Sequence, residues 1–148
     1  MDLTLPPTVD DAIALAARAH RGQRYASPEA EPFIFHPLRV MLTLLNPIDQ
    51  MAAVLHDTVE DTDLQLHHLS EAGYPTELLA AIDCLTHRTD EPYEDYITRV
   101  ATNDVARRVK IADLRDNLAN NRRSPDAQGN ADRIRRYQRA LAQLATPP

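Results

Sequence analysis

The sequence has few cysteines, few glycines and no long hydrophobic run. Its 148 residues hold one cysteine, Cys84, which excludes an internal disulfide and suits a reducing compartment. The longest apolar run, over residues 40–45, is far too short to span a membrane. The first residues, MDLTLPP, lack the charged and apolar parts of a signal peptide. We therefore expect a cytoplasmic protein with no membrane partner.

Basic residues are also scarce relative to acidic ones. There are 16 Lys+Arg against 22 Asp+Glu, a formal charge of -6, which argues against a nucleic-acid polymer as partner. The last 44 residues are the exception, with ten basic and four acidic side chains, and nine of those ten are arginine. Arginine suits phosphate because its guanidinium is a planar fork. A plain arginine bias, with opposite charges pairing across the fold, is the alternative.

The chain has helical periodicity and no strand-like alternation. Only three glycines occur, and the 11 prolines mostly fall between periodic segments, where they mark helix ends. We predict an all-α fold of seven or eight helices in one domain, residues 1–148, with its core over about 9–145. The predicted helices are 9–21 (N-cap Thr8, stop Gly22), 37–46, 47–57, 64–72, one opened by Pro75, 92–101, 104–119 and 131–145, with 120–130 as a connector.

The densest polar motif is the string HDTVED at residues 56–61. If helix 47–57 or its last turn continues through it, His56, Asp57, Glu60 and Asp61 form one stripe. Crowded carboxylates raise each other's pKa, so a cation among them relieves the repulsion. A polar surface explains the loose pattern, but the exact string is expected by chance only about 0.003 times in such a chain.

Two further groups lie far away in the chain. His36 directly precedes Pro37, which biases His36 toward an extended backbone and opens a helix after it. Lys110, Asp113 and Asn117 share one face of helix 104–119. The alternatives are a histidine that caps or packs at a helix start and a solvated helix edge.

Taken together, His36, His56, Asp57 and Asp113 offer two imidazoles and two carboxylates, and Asp116 is a further acid we expect near the same cation. This mixed set suits Mn²⁺, Fe²⁺ or Zn²⁺. A shell filled only partly by protein leaves room for water, whose pKa a catalytic metal can bring to about 7.

These four residues resemble the metal set of the HD superfamily of metal-dependent phosphohydrolases. Longer strings resemble its alarmone (ppGpp) hydrolase branch: AHRGQR at 19–24, PFIFHP at 32–37, LHDTVEDT at 55–62, and KIAD at 110–113 followed by Asn117. That branch includes small stand-alone hydrolases and the hydrolase domain of bifunctional alarmone synthetase/hydrolases. The resemblance covers roughly residues 9–137, and the length of the chain favours the stand-alone type.

The resemblance implies hydrolysis of the 3′-pyrophosphate of guanosine tetraphosphate or pentaphosphate, with release of pyrophosphate and with Mn²⁺ or another divalent metal as cofactor. Two carboxylates would orient and activate the attacking water. Other residues would hold phosphate, line the nucleotide pocket or support a ligand, or lie near the base or ribose. The implied set is: metal ligands His36, His56, Asp57 and Asp113; catalytic Glu60 and Asp61; substrate-binding Arg24, Lys110, Asn117, Arg136 and Tyr137.

Three residues depart from the family pattern. Tyr25 follows Arg24 where the family usually has a second basic residue, and Phe33 and Phe35 stand where it usually has Tyr and Asn. Hydrolysis of another nucleotide, such as an adenine alarmone or a nucleoside phosphate, is therefore an alternative. A metal-bound and nucleotide-bound sensor without catalysis is another. The sequence is compatible with a homo-oligomer. We interpret His20, on an apolar stripe, as a buried or ligand-supporting histidine.

Overall fold

The computed structural model of the chain describes residues 5–24, 31–120 and 127–146. Over these residues the fold is all-helical, as predicted, with nine α-helices, no β-strand and one isolated bridge between Arg24 and Pro32. The helices are α1 (Val9–Ala19), α2 (Phe35–Leu42), α3 (Pro47–Leu55), α4 (Thr58–Asp61), α5 (Leu66–Glu71), α6 (Thr76–Leu85), α7 (Tyr93–Ala101), α8 (Asp104–Asn120) and α9 (Ala127–Ala145). Each helix in these ranges is too short or too polar to traverse a lipid bilayer.

Local residues explain where several helices begin and end. The Thr8 hydroxyl accepts a hydrogen bond from the Asp11 N–H, and the Asp11 carboxylate accepts one from the Thr8 N–H. This capping box confirms Thr8 as the N-cap of α1. Gly22, just beyond α1, has a φ of 82°, a left-handed conformation that glycine adopts without steric cost. Asn46 caps α3 by accepting from the Ile48 N–H at 2.9 Å.

The structure corrects four predicted boundaries. The helix predicted over 37–46 is α2, which begins at Phe35 and ends at Leu42. His36 therefore lies inside the helix, and the prediction of an extended backbone there was wrong. Pro37 fits in the first turn because its missing N–H would have had no partner there. The helix predicted to reach residue 57 ends at Leu55, and α4 follows as a ninth helix. Lastly, α9 begins at Ala127, inside the predicted connector, of which residues 121–126 lie outside the described residues.

Helices α3 and α8 lie at the centre of the fold. α3 packs against α1, α2, α6 and α8, and α8 also contacts α2, α6, α7 and α9. Residues 51–55 of α3 are all buried, and full burial of Leu55 contributes about 1.5–3 kcal/mol. His56 and Asp57 follow α3 directly, and Asp113 lies on α8. Packing of the two central helices therefore brings these polar residues together.

Arg99 of α7 holds the connection between α6 and α7. Its guanidinium donates to both carboxylate oxygens of Glu91, at 2.9 and 2.8 Å. It also donates to the carbonyl oxygens of Asp83, Cys84 and Thr86 at the end of α6. The bonds from Arg99 lower the pKa of Glu91 to about 2. This clamp fixes the segment 86–92.

Candidate metal centre

Four side chains from three parts of the chain meet at one point. His36 lies in the first turn of α2, His56 and Asp57 follow α3, and Asp113 lies on α8. The Nε2 atom of His36 is 2.8 Å from Asp113 Oδ1 and 3.8 Å from Asp57 Oδ2. The Nε2 atom of His56 is 3.2 Å from Asp57 Oδ1 and 3.4 Å from Asp113 Oδ1. The structure thus brings together all four residues that the sequence nominates as metal ligands.

This cluster has the donors and spacing of a cation site. One ligand atom each from His36, His56 and Asp57 lies within 4.8 Å of the others, so the three can hold a metal ion. Asp113 adds a carboxylate oxygen that faces both imidazole rings. Two nitrogen and two oxygen donors form a set that suits first-row divalent metals.

The hydrogen bonding of His56 also fits a metal ligand. Its Nδ1 donates to the Ala53 carbonyl oxygen at 2.5 Å, so the neutral ring carries its lone pair on Nε2. This Nε2 is buried and makes no hydrogen bond within the described residues, although carboxylate oxygens of Asp57 and Asp113 face it at 3.2 and 3.4 Å. A buried polar atom without a partner is costly, and a cation at Nε2 would remove that cost. The residues present therefore fit a divalent cation.

His36 lies between carboxylates on both sides of its ring. Its Nδ1 is 2.7 Å from Asp116 Oδ2, on the side opposite Asp113. Burial by itself would lower the pKa of His36, but the hydrogen bonds to Asp113 and Asp116 and the charge of Asp57 raise it to about 10. The pocket around His36 thus stabilises positive charge, which a cation site requires.

Lys110 and Asn117 both contact Asp113. The Lys110 Nζ donates to Asp113 Oδ2 at 2.8 Å, and the Asn117 Nδ2 donates to Asp113 Oδ1 at 3.3 Å. Burial would raise the pKa of Asp113, but Lys110 and the two histidines hold it well below its usual range. Asp113 in turn overcomes the effect of burial on Lys110 and raises the lysine pKa. The resemblance implies that Lys110 and Asn117 either line the nucleotide pocket or support Asp113, and these contacts are consistent with the second role.

Glu60 and Asp61 lie on α4 at the exposed rim of the cluster. The Asp61 N–H donates to the Asp57 carbonyl at 2.9 Å, so the predicted stripe forms although α3 and α4 are separate helices. Carboxylate oxygens of Asp57, Glu60 and Asp61 lie within 4.8 Å of one another. Partial burial raises the pKa of Glu60 and of Asp61, and the charge of Asp57 adds to both rises. A raised pKa makes each carboxylate a better proton acceptor.

The other predicted substrate residues, Arg24, Arg136 and Tyr137, lie on other segments of the chain than the four ligands. Arg24 pairs with Pro32 in the isolated bridge ahead of α2. On α9, the guanidinium carbon of Arg136 is 5.0 Å from the centre of the Tyr93 ring and 5.8 Å from that of Tyr137. Within the described residues, Arg136 and Tyr137 make no hydrogen bond, ion pair or ring contact with the four ligands.

Two of the three residues that depart from the family pattern, Phe33 and Phe35, lie within the described part of the chain. The ring of Phe33 lies between two histidine rings, with centroids 4.8 Å from His20 and 6.0 Å from His36. Phe35 is 45% exposed. Tyr25 lies outside the described residues.

Two further contacts to α4 were not predicted. The His87 backbone N–H donates to Glu60 Oε1 at 2.8 Å. The Gln23 side chain donates to the Asp61 carbonyl at 3.0 Å and accepts from Nδ1 of buried His20 at 2.8 Å. The donor at His87 is a backbone N–H, which is present whatever the side chain, so the sequence gives no signal for this contact. Gln23 and His20 had a signal, since they lie in the motif AHRGQR.

An all-helical fold that gathers two histidines and two aspartates in this way is the arrangement of an HD-type hydrolase. No family model matches the chain. The human guanosine-3′,5′-bis(diphosphate) 3′-pyrophosphohydrolase MESH1 is 31% identical over 145 residues, which cover 90% of this chain and 80% of the human protein. The Danio rerio enzyme of the same name is 29% identical over 138 residues, 86% of this chain and 76% of that protein.

The fold has a solved counterpart. The structure of a metazoan ortholog of SpoT that hydrolyses ppGpp matches with a TM-score of 0.77 at 22% identity, over 97% of this chain and 86% of that one. The chain belongs to the family of guanosine-3′,5′-bis(diphosphate) 3′-pyrophosphohydrolases.

Proposed function

We propose that this chain hydrolyses the 3′-pyrophosphate of guanosine tetraphosphate and pentaphosphate alarmones, releases pyrophosphate and depends on Mn²⁺. The observation that carries the proposal is the convergence of His36, His56, Asp57 and Asp113 beside the α4 carboxylates, in a member of this family.

The four converging side chains are the proposed metal ligands. The orphaned Nε2 of His56 and the facing carboxylate oxygens of Asp57 and Asp113 support this assignment. A bound divalent cation supplies Lewis acidity toward a phosphoryl oxygen and positive charge beside the reacting phosphorus. Mn²⁺ accepts the mixed nitrogen and oxygen donors of this set.

Glu60 and Asp61 are the proposed catalytic carboxylates. One of them accepts a proton from water while the water oxygen bonds to the phosphorus attached to ribose O3′. The bond between that phosphorus and O3′ then breaks, O3′ takes up a proton, and pyrophosphate leaves. The raised pKa of both carboxyl groups favours this proton transfer, and the His87 N–H orients Glu60.

Arginines and one tyrosine are the proposed nucleotide contacts. Arg24 would hold phosphate, and Arg136 and Tyr137 would lie near the base or ribose. Arg136 has no carboxylate partner among the described residues, so its charge is available to an anionic ligand. Lys110 and Asn117 would act mainly through Asp113.

The decisive experiment compares variants on a panel of phosphorylated nucleotides. Protein purified with Mn²⁺ should release pyrophosphate from ppGpp, and Glu60→Gln should lower kcat about 100-fold or more because the proton acceptor is lost. Glu71→Gln, an exposed glutamate on α5, is the matched control and should behave as wild type. The proposal fails if no nucleotide is hydrolysed, or if Asp57→Ala is as active as wild type.

A second substrate class is favoured by one observation. Phe33 packs beside His36 where the family usually has a tyrosine, so the pocket next to the metal differs in polarity. Preference for an adenine alarmone or a nucleoside phosphate in the same panel would assign the chain to that class. Tight nucleotide binding by calorimetry without turnover in excess Mn²⁺ would instead identify a sensor.

We also propose that residues 1–148 form one domain, with its core over about 9–145, and that the protein acts in the cytoplasm. The packing of α8 against helices from both halves of the chain supports a single domain, and one cysteine suits a reducing compartment. A single cooperative unfolding transition by calorimetry is the expected result for one domain.

A further inference from the structure

Asp116 contacts His36 from outside the ligand cluster. Asp116 Oδ2 lies 2.7 Å from Nδ1 of His36, while Nε2 of the same ring faces Asp113 and Asp57. The two ring nitrogens of a histidine point to different sides, so Asp116 cannot share the point where the other carboxylates meet. Its carboxylate contacts the ligand His36 without belonging to the proposed metal shell.

The Asp116 carboxylate is itself firmly held. Arg39 of α2 donates from Nε to Asp116 Oδ1 at 2.9 Å and from Nη2 to Oδ2 at 3.1 Å. Asn120 adds a bond to Oδ1 at 3.2 Å, and the third nitrogen of Arg39 donates to Glu31 at 2.7 Å. Both carboxylate oxygens therefore have fixed partners, and the oxygen that faces His36 has little freedom to rotate away.

We propose that Asp116 is a positioning residue, which accepts the Nδ1 proton of His36 and so fixes the ring orientation and directs the Nε2 lone pair at the metal. A hydrogen-bonded carboxylate behind a histidine ligand sets which ring nitrogen binds the metal and makes that nitrogen more basic. The inference deepens the proposed function, because it concerns how the same site holds its cation.

The test is metal affinity in the absence of substrate. Asp116→Asn should raise the dissociation constant for Mn²⁺, measured by titration calorimetry, about 10-fold to 100-fold. Asp49→Asn is the matched control, because Asp49 accepts from Nε and Nη2 of Arg108 at 2.7 and 3.0 Å in the same manner. That variant should bind Mn²⁺ as wild type does. Equal affinity in folded Asp116→Asn and wild type would overturn the inference.

Two further measurements keep the inference testable if Asp116→Asn does not fold. In Zn²⁺-loaded wild type, two-bond ¹H–¹⁵N NMR correlations should show His36 protonated at Nδ1; protonation at Nε2 would refute the assignment. The absorption spectrum of Co²⁺-loaded Asp116→Glu should keep the wild-type ligand-field bands. Altered bands would mean that Asp116 is itself a ligand, contrary to the inference.

Failure of the inference and failure of the proposed function give different results. If ppGpp is not hydrolysed but Asp116→Asn still weakens Mn²⁺ binding, the positioning role stands and the proposed substrate is wrong. If ppGpp is hydrolysed and Asp116→Asn has the wild-type dissociation constant for Mn²⁺, the proposed function stands and Asp116 only joins α2 to α8.

Discussion

Replacing Lys110 with methionine tests how the buried charge at the centre of the site is balanced. The Lys110 Nζ lies 2.8 Å from Asp113 Oδ2, and the two side chains are 12% and 4% exposed. Two unit charges at this distance attract by about 6 kcal/mol at an effective dielectric constant of about 20. Methionine avoids the cost of burying an ammonium group, which offsets part of that loss. We expect Lys110→Met to lower the free energy of unfolding by about 3–5 kcal/mol.

Mn²⁺ should reduce the free energy of unfolding that is lost in Lys110→Met. Without a metal, Asp113 keeps its hydrogen bonds to Asn117 and His36, and the Nε2 atom of His56 lies 3.4 Å from its Oδ1. A divalent cation and Lys110 neutralise the same carboxylate, so each matters less when the other is present. We expect the loss on Lys110→Met to be smaller in saturating Mn²⁺ than in EDTA by about 1 kcal/mol or more.

Urea unfolding followed by far-ultraviolet circular dichroism measures both quantities. Arg108→Met is the matched control: it also leaves a buried aspartate, Asp49, without its cation, but near the start of α3 rather than at the metal cluster. The free energy of unfolding lost in Arg108→Met should be the same in EDTA and in Mn²⁺. A loss below about 1 kcal/mol for Lys110→Met in EDTA, or a loss that does not depend on Mn²⁺, would refute this account of the site.

Three further predictions concern stability alone. Thr8→Ala removes the capping box of α1 and should lower the free energy of unfolding in urea by about 1 kcal/mol; no change would mean that the first turn contributes nothing. Tyr93→Phe removes a buried hydroxyl with no partner among the described residues, so calorimetry should find stability unchanged or raised by about 1 kcal/mol, and a clear loss would reveal a partner. Arg99 lowers the pKa of Glu91 from 4.5 to about 2, so this stabilisation is complete above pH 4.5 and disappears as the pH falls toward 2. In Glu91→Gln the acid unfolding curve should lose that dependence, and an unchanged curve would contradict the assignment.

The helices were predictable because their signals are local. A period of 3.6 residues, a capping threonine at Thr8 and prolines between segments lie within a few residues of the helix that they define. The break between α3 and α4 has no such signal, since both His56 and Asp57 keep helical backbone angles and only the hydrogen-bond ladder is interrupted. The prediction that α2 begins at Pro37 was wrong for the opposite reason. The residue before a proline disfavours helical angles, but His36 is helical here because Pro37 lies in the first turn of α2.

The identity of the metal-site residues could be predicted, because their residue types indicate the chemistry. Two histidines and two aspartates with a family resemblance predicted the cluster. The packing of α2, α3 and α8 places Nε2 of each histidine within 4 Å of a carboxylate oxygen of each aspartate. What orients them was harder to predict. The Ala53 carbonyl that fixes the His56 ring and the His87 N–H that reaches Glu60 are backbone atoms, which every residue has. Only the folded chain reveals which ones are used.

The ion pair between Lys110 and Asp113 has a consequence for chemical labelling. Lys110 is the only lysine in the chain, so amine-reactive esters have a single side-chain target. In the folded protein that amine is protonated and bonded to Asp113, and both conditions suppress acylation. Rapid acylation therefore requires the pair to separate. Acylation at Lys110, located by mass spectrometry of proteolytic peptides, therefore reports how often the centre of the site opens.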